Sequence, residues 1–469
     1  MPQKDQSRPR GALHACGINF GPTIGGTRTK RLREHTVPHR AFLHGQNISR
    51  GIASDETPDE NGIVNSTCNS QQILVIMPNW LGDAVMATPF LCALRQLFPA
   101  ARISCLGKAL VQPVLTGLPI IDAAMSYAIH KTGRINYSQT AADLRKQKFD
   151  LAVILPNSFR SAFLAWRAGV PRRLGYNRDS RRLLLTDYIN PVPRTEYEVR
   201  LMIQRRAAQE SIAADRWPRG TTVLNDPQKI PSWYVKVSSW NTFQPLPTLD
   251  YYLDLSRYLG STQRDSRMTL GITEGEREQA YSALTQAGIS GDAPFMMLFP
   301  GAHFGLAKCW PPERFAAVAA EVAQGRIRPP AHVLIGGAAG EKSLIDAILQ
   351  GVPPALAARV IPLYQLNNGA GVSLGAIKEL VRRAAVVLCN DTGPRHFAAA
   401  LDTPLVTLFG PTDPRWAEIG YKKEQQIALP VPCGPCQLKI CPIDHRCMTG
   451  ITAEMVLRAV DAQWRQEAV

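Results

Sequence analysis

Three stretches of this chain carry residue types that could bind a diphosphate or move a proton. The first is Met77-Pro-Asn-Trp-Leu-Gly-Asp-Ala-Val-Met-Ala-Thr-Pro89. Here Gly82 permits close backbone approach and Asp83 stands at a helix start, where it either caps the helix or accepts a proton from a hydroxyl. The second is Phe299-Pro-Gly-Ala-His-Phe-Gly-Leu-Ala-Lys-Cys-Trp-Pro-Pro-Glu-Arg-Phe315. Its Gly301, Gly305 and Lys308 precede a helix opened by proline, which reads as a diphosphate site or as a loop with a solvated lysine. It lacks the Gly-Lys-Ser/Thr of a Walker A loop. The third is Asn390-Asp-Thr-Gly-Pro-Arg-His-Phe-Ala-Ala-Ala-Leu401. Thr392 and Gly393 can offer a hydroxyl and amides to phosphate, and His396, one turn on, adds a hydrogen bond or charge unless it is structural.

Such motifs need strands to hold them. Apolar runs over 73–77, 102–107 and 151–155 read as buried strands, with helices over 84–98 and 159–168 between and after them. The alternation lapses over 195–247, an insertion or long loop, and a helix over 249–259 leads to a linker at 260–271. It resumes with strands over 295–299, 332–335, 386–389 and 405–409, and helices over 274–287, 312–323, 341–349 and 374–383. Thr452 caps a last helix reaching about Arg465. Two α/β units in tandem are expected, with ligands beyond the carboxyl ends of the strands, where all three motifs fall. The expected division is a disordered leader over 1–70, an N-terminal domain over 71–265 and a C-terminal domain over 266–469.

The 469 residues suffice for two cores, and the 45% hydrophobic content is that of an ordinary globular chain. No apolar run approaches the roughly 20 residues that span a bilayer. Residues 1–70 are polar and interrupted, a leader or a misassigned translation start rather than a secretory signal. Of the net charge of +15, residues 130–220 supply +10, from 18 Lys or Arg against 8 Asp or Glu. Such a segment suits phosphates on a lipid or glycolipid, or is a solvated basic face; sparse aromatics make nucleic acid the weaker partner. Cys433, Cys436, Cys441 and Cys447, with His445, sit in a C-x2-C-x4-C-x5-C segment that would hold zinc, or leave its thiols free or paired as a disulfide. No G-x-G-x-x-G follows the first strand, which disfavours a dinucleotide oxidoreductase.

Taken jointly, the three motifs resemble glycosyltransferase family nine, the bacterial heptosyltransferases. The phrases Leu155-Pro-Asn-Ser-Phe-Arg-Ser-Ala162, Ala168-Gly-Val-Pro171, Gly175-Tyr176 and Trp310-Pro311 strengthen the likeness, which runs from about Ile73 to Leu457. The resemblance implies a GT-B architecture, two Rossmann-like domains facing across a cleft, and inverting transfer without a metal or other cofactor. It implies a donor, ADP-L-glycero-D-manno-heptose, on the C-terminal domain, and an acceptor, the heptosyl–Kdo–lipid A inner core of lipopolysaccharide, on the N-terminal one. It further implies a cytoplasmic protein in peripheral contact with the inner membrane. Asp83 would be the base. Lys308, Asp391, Thr392, Gly393 and His396 would hold the donor, with Glu341 on its ribose. Asn79, Trp80, Asn157, Ser158 and Arg160 would meet the acceptor, and Arg395 has no clear role. The rivals are a relative with another acceptor or sugar, and a nucleotide-binding protein that has lost catalysis.

Overall fold

The computed structural model describes residues 70–192 and 245–464. The leader and nearly all of the 195–247 stretch lie outside the described residues. Two six-stranded, wholly parallel sheets account for the rest. The first contains β1 (Gln72–Ile76), β2 (Arg102–Gly107), β3 (Ala123–Ser126), β4 (Leu151–Ile154), β5 (Arg172–Tyr176) and β6 (Asp187–Ile189), in the order β3-β2-β1-β4-β5-β6. The second contains β7 (Phe295–Phe299), β8 (His332–Ile335), β9 (Val360–Pro362), β10 (Val386–Asn390), β11 (Leu405–Phe409) and β12 (Glu424–Ala428), in the order β9-β8-β7-β10-β11-β12. Each half therefore follows the same doubly wound scheme, and β4 and β7 are buried along their whole length.

Helices cover both faces of each sheet. The N-terminal half carries α1 (Leu81–Met86), α2 (Thr88–Leu97), α3 (Gln112–Leu115), α4 (Tyr137–Lys146), α5 (Phe159–Arg167) and α6 (Thr248–Tyr258). The C-terminal half carries α7 (Glu274–Gln286), α8 (Pro312–Gln324), α9 (Lys342–Gln350), α10 (Leu374–Arg383), α11 (Gly393–Ala400), α12 (Arg446–Thr449) and α13 (Ala453–Gln463). The single helix expected over 84–98 is two helices broken at Ala87, since Pro89 cannot continue the hydrogen-bond ladder of α1. Thr452 does cap α13, its hydroxyl accepting from the Met455 N–H.

One cluster of buried side chains crosses from half to half. It joins Val75, Phe90 and Leu255 to Phe295, Leu380 and Phe397, while separate clusters line the outer face of each sheet. Among the described residues no helix is long and apolar enough to cross a membrane.

Candidate active site

The halves meet at two helix N-termini. Those of α1 and α11 pack together with a glycine in the first turn of each, Gly82 and Gly393. A β-carbon on Gly82 would lie 2.6 Å from Cδ2 of His396, and one on Gly393 would lie 3.2 Å from Leu81. The close approach anticipated at Gly82 is thus to the other half of the protein.

Asp83 lies in the first turn of α1, not at its cap. The N-cap is Trp80, with no side-chain hydrogen bond, so the capping reading does not hold. Desolvation pushes the Asp83 carboxyl up to about 7; Lys308 pulls it down and Asp391 pushes it further up. A carboxyl poised near neutral pH at a strand's carboxyl end is suited to general-base work.

On the facing half, Lys308 donates to the Asp391 carboxylate at 2.6 Å and to its main-chain carbonyl at 3.0 Å, and Thr412 adds a hydroxyl at 2.9 Å. Burial pushes Asp391 up, but Lys308, Arg395 and the bonds from Lys308 and Thr412 outweigh it and hold the carboxyl below its ordinary range. Lys308 is therefore a partly buried, ion-paired group rather than a solvated one. At the start of α11, Thr392 Oγ1 and His396 Nδ1 are buried without a hydrogen-bond partner. Unpaired buried polar atoms are costly, and two of them at one helix N-terminus mark a place shaped for a polar ligand. Burial drives His396 down to about 3, so it is neutral and contributes hydrogen bonding, not charge. The turn also has fewer amides to offer than its sequence suggested: Pro394 has none, and the Arg395 N–H is turned to the Thr392 carbonyl at 3.1 Å.

Arg395 has a structural role. Its guanidinium is fully buried, forks onto Glu424 at 2.6 and 2.8 Å, and lies over the Phe409 ring. Glu341 follows β8 and folds its carboxylate back onto the Ala338 N–H at 2.8 Å. It presses so closely on Gly301 that a β-carbon there would lie 2.0 Å from Oε1. The expected ribose acid and the expected phosphate loop are thus side by side.

Sequence reasoning missed what holds that loop. Asn390, wholly buried, donates from Nδ2 to the Pro300 carbonyl at 2.6 Å and accepts from the Trp310 N–H at 3.4 Å. The cysteine-rich segment closes the other side. The Ala307 N–H donates to the Lys439 carbonyl at 3.0 Å, and His445 Nε2 donates to the Ala307 carbonyl at 2.6 Å. Both main-chain groups of the residue before Lys308 are held this way. Cys441 and Cys447 are free thiols. Burial and the neighbouring thiols push Cys447 up to about 12. Among the described residues no group of His, Cys, Asp or Glu is arranged to hold a metal.

In the N-terminal half, a cavity of about 440 Å³ is lined by Asn79, Lys108, Tyr137, Ser158, Phe159 and Arg160. Its size is that of a small-molecule site. Asn79, Ser158 and Arg160 were anticipated; Lys108, Tyr137 and Phe159 were not, although Lys108 directly follows β2 and obeys the same end-of-strand logic. Asn157 is not among the lining residues. Its Oδ1 accepts from Tyr251 at 2.7 Å and Arg181 at 3.2 Å, which anchors the loop after β4 to α6. Trp80, half exposed, stands edge-on to His303 of the facing half at 5.1 Å.

The family model for "Glycosyltransferase family 9 (heptosyltransferase)" matches residues 138–238 and 247–446. Asp83 lies ahead of that match. The chain is 28% identical over 347 residues to lipopolysaccharide heptosyltransferase 2 of Escherichia coli K12, covering 73% of this chain and 84% of the relative. It is 25% identical over 345 residues to lipooligosaccharide heptosyltransferase 2 of Haemophilus influenzae, with the same coverage. Its fold resembles that of E. coli ADP-heptose lps heptosyltransferase II, with a TM-score of 0.61 and 24% identity over 84% of this chain and 98% of that one. With most of its length matched by that family model, and both halves built on the same doubly wound scheme, the chain belongs to glycosyltransferase family 9, the heptosyltransferases.

Proposed function

We propose that this glycosyltransferase moves heptose from ADP-L-glycero-D-manno-heptose to the heptosyl–Kdo–lipid A inner core of lipopolysaccharide, working from the cytoplasmic side against the inner membrane. The observation that carries the reading is the meeting of Asp83, its carboxyl raised to about 7, with the Lys308–Asp391 pair and the unsatisfied Thr392 and His396. Heptosyltransferases of the second type among the relatives support the choice of acceptor.

In this scheme the donor lies on the C-terminal half. Glu341 accepts from the ribose hydroxyls. Lys308 and the α11 N-terminus face the diphosphate, where Thr392 and neutral His396 complete their hydrogen bonding and Asp391 keeps Lys308 in place. The acceptor sugar lies by Asn79, Trp80, Ser158 and Arg160, with Asn157 bracing that loop. An acceptor hydroxyl attacks the anomeric carbon as the bond to the β-phosphate oxygen breaks. Its proton passes to Asp83, and the charge growing on the leaving ADP is met by Lys308 and the helix start. Attack opposite the departing group inverts the anomeric centre.

The test is ADP release by purified protein given ADP-heptose and either heptosyl–Kdo–lipid A or Kdo–lipid A. Turnover on the heptosylated acceptor is expected. Turnover on the unheptosylated one alone would reassign the acceptor, and none on either would overturn the reading.

A further inference from the structure

Helix α5 is apolar on two faces. Ser161, Ala162, Leu164 and Ala165 are buried beneath it, as a crossover helix requires. On the other side Phe159, Phe163 and Trp166, spaced i, i+4 and i+7, form an aromatic ladder with ring centroids 6.2 and 5.4 Å apart. Phe159 is 50% exposed and Trp166 49%. The turn Arg182–Leu184 packs beside this helix and carries Leu183 with 91% of its surface in solvent. A surface helix ordinarily turns polar residues outward, and a contiguous exposed apolar patch marks a docking surface.

The surroundings are basic. Arg160 and Arg167 project from α5 itself, Arg145 reaches across from α4 to the Arg167 carbonyl, and Arg182 lies over the Tyr188 ring. The acid on that stretch of α4, Asp143, is already paired with Lys146 at 2.9 Å. Over residues 130–190 there are 12 Lys or Arg against 4 Asp or Glu. Phe159 of the ladder and Arg160 beside it also line the N-terminal cavity.

We propose that the outer face of α5 and the 182–184 turn dock the N-terminal half onto an anionic lipid bilayer. Aromatic and leucine side chains enter the headgroup boundary while the arginines meet lipid phosphates. Because the patch and the cavity share two residues, docking brings the cavity mouth to headgroup level. A glycolipid acceptor would then present its sugars without leaving the bilayer. That consequence rests on the acceptor reading above, whereas the surface itself rests on the ladder and its charge.

The test needs neither donor nor acceptor. Vesicles of phosphatidylethanolamine with phosphatidylglycerol should bind the full chain, vesicles of phosphatidylcholine alone should bind it weakly, and high salt should release it. The double variant Trp166→Ser, Leu183→Ser should partition onto anionic vesicles about tenfold less. It should also turn over a deacylated acceptor normally but a vesicle-embedded one slowly. Failure of the wild-type chain to bind anionic vesicles, or equal binding by the variant, would overturn the proposal. So would self-association of the wild-type chain through this face, lost in the variant, without vesicle binding. Vesicle binding with no turnover on any acceptor would leave the docking surface standing and remove the assigned reaction.

Discussion

An aspartate in water is deprotonated well below neutral pH and is a poor base; Asp83 differs because of where it sits. Folding moves its pKa from 3.8 to about 7, so between those values the folded chain holds a proton that the unfolded chain has lost. Stability therefore falls as pH climbs through that window. Asp83→Asn removes the penalty, and its melting temperature should equal or exceed the wild type's at pH 8, with the difference gone by pH 4. Activity runs the other way. The base works only when ionised, so wild-type kcat/KM should drop below about pH 7, and Asp83→Asn should lose that dependence along with ~10²–10⁴ of the rate. Near-full turnover by a folded Asp83→Asn protein would assign proton removal to another group. Lys308 too depends on its surroundings: the Asp391 partner that keeps it aimed lies 83 residues away in the chain.

At the scale of elements, the site depends on two short helices meeting end to end. The contact tolerates no side chain at Gly82, since the His396 ring and the Gly393 backbone occupy the space. Gly82→Ala should force α1 and α11 apart by a fraction of an ångström to an ångström, separating the acceptor-side carboxylate from the donor-side groups. Misplacement of that size costs up to about 10²-fold in rate. Turnover should fall by ~10- to 100-fold, and ADP affinity, measured by calorimetry, should fall by less, because the added methyl meets the His396 ring but not Lys308 or Asp391. Unchanged kcat/KM would mean that the two helices do not set the reacting geometry.

The whole molecule is pinned on the side of α3 and α10. Lys378 of α10 is fully buried and donates to the carbonyls of Pro113 and Thr116 in the other half at 2.9 and 3.3 Å, while pairing with Glu276 at 2.9 Å. Close by, the linker presses on the first half so tightly that a β-carbon on Gly271 would lie 2.0 Å from the Gly117 oxygen. Burial lowers the Lys378 pKa and Glu276 opposes the shift, the balance of a desolvated but paired ammonium. Lys378→Met leaves the acid and both carbonyls without their donor. It should cost about 3 kcal/mol in chemical denaturation and make the 260–271 linker more open to proteolysis. Stability within about 0.5 kcal/mol of wild type would show that the apolar interface alone holds the halves.

What the sequence determined by itself was local. Unbroken apolar runs announced β1, β4, β7 and β10, because a strand buried on both faces leaves no polar alternation to read. The end-of-strand motifs followed from the same periodicity, and their joint order was enough to point to the family. The short strands β3, β6 and β9 were not legible, since three or four residues carry too little pattern. The partnerships were not legible either. Asn157 is committed to Tyr251, 94 residues on, and Arg395 to Glu424, 29 residues on. Only the folded chain brings Ala307 between Lys439 and His445, or surrounds Asp83 with enough low-dielectric protein to raise its pKa. Propensity acts over a few neighbours in the chain, whereas desolvation and Coulomb forces sum over everything nearby in space.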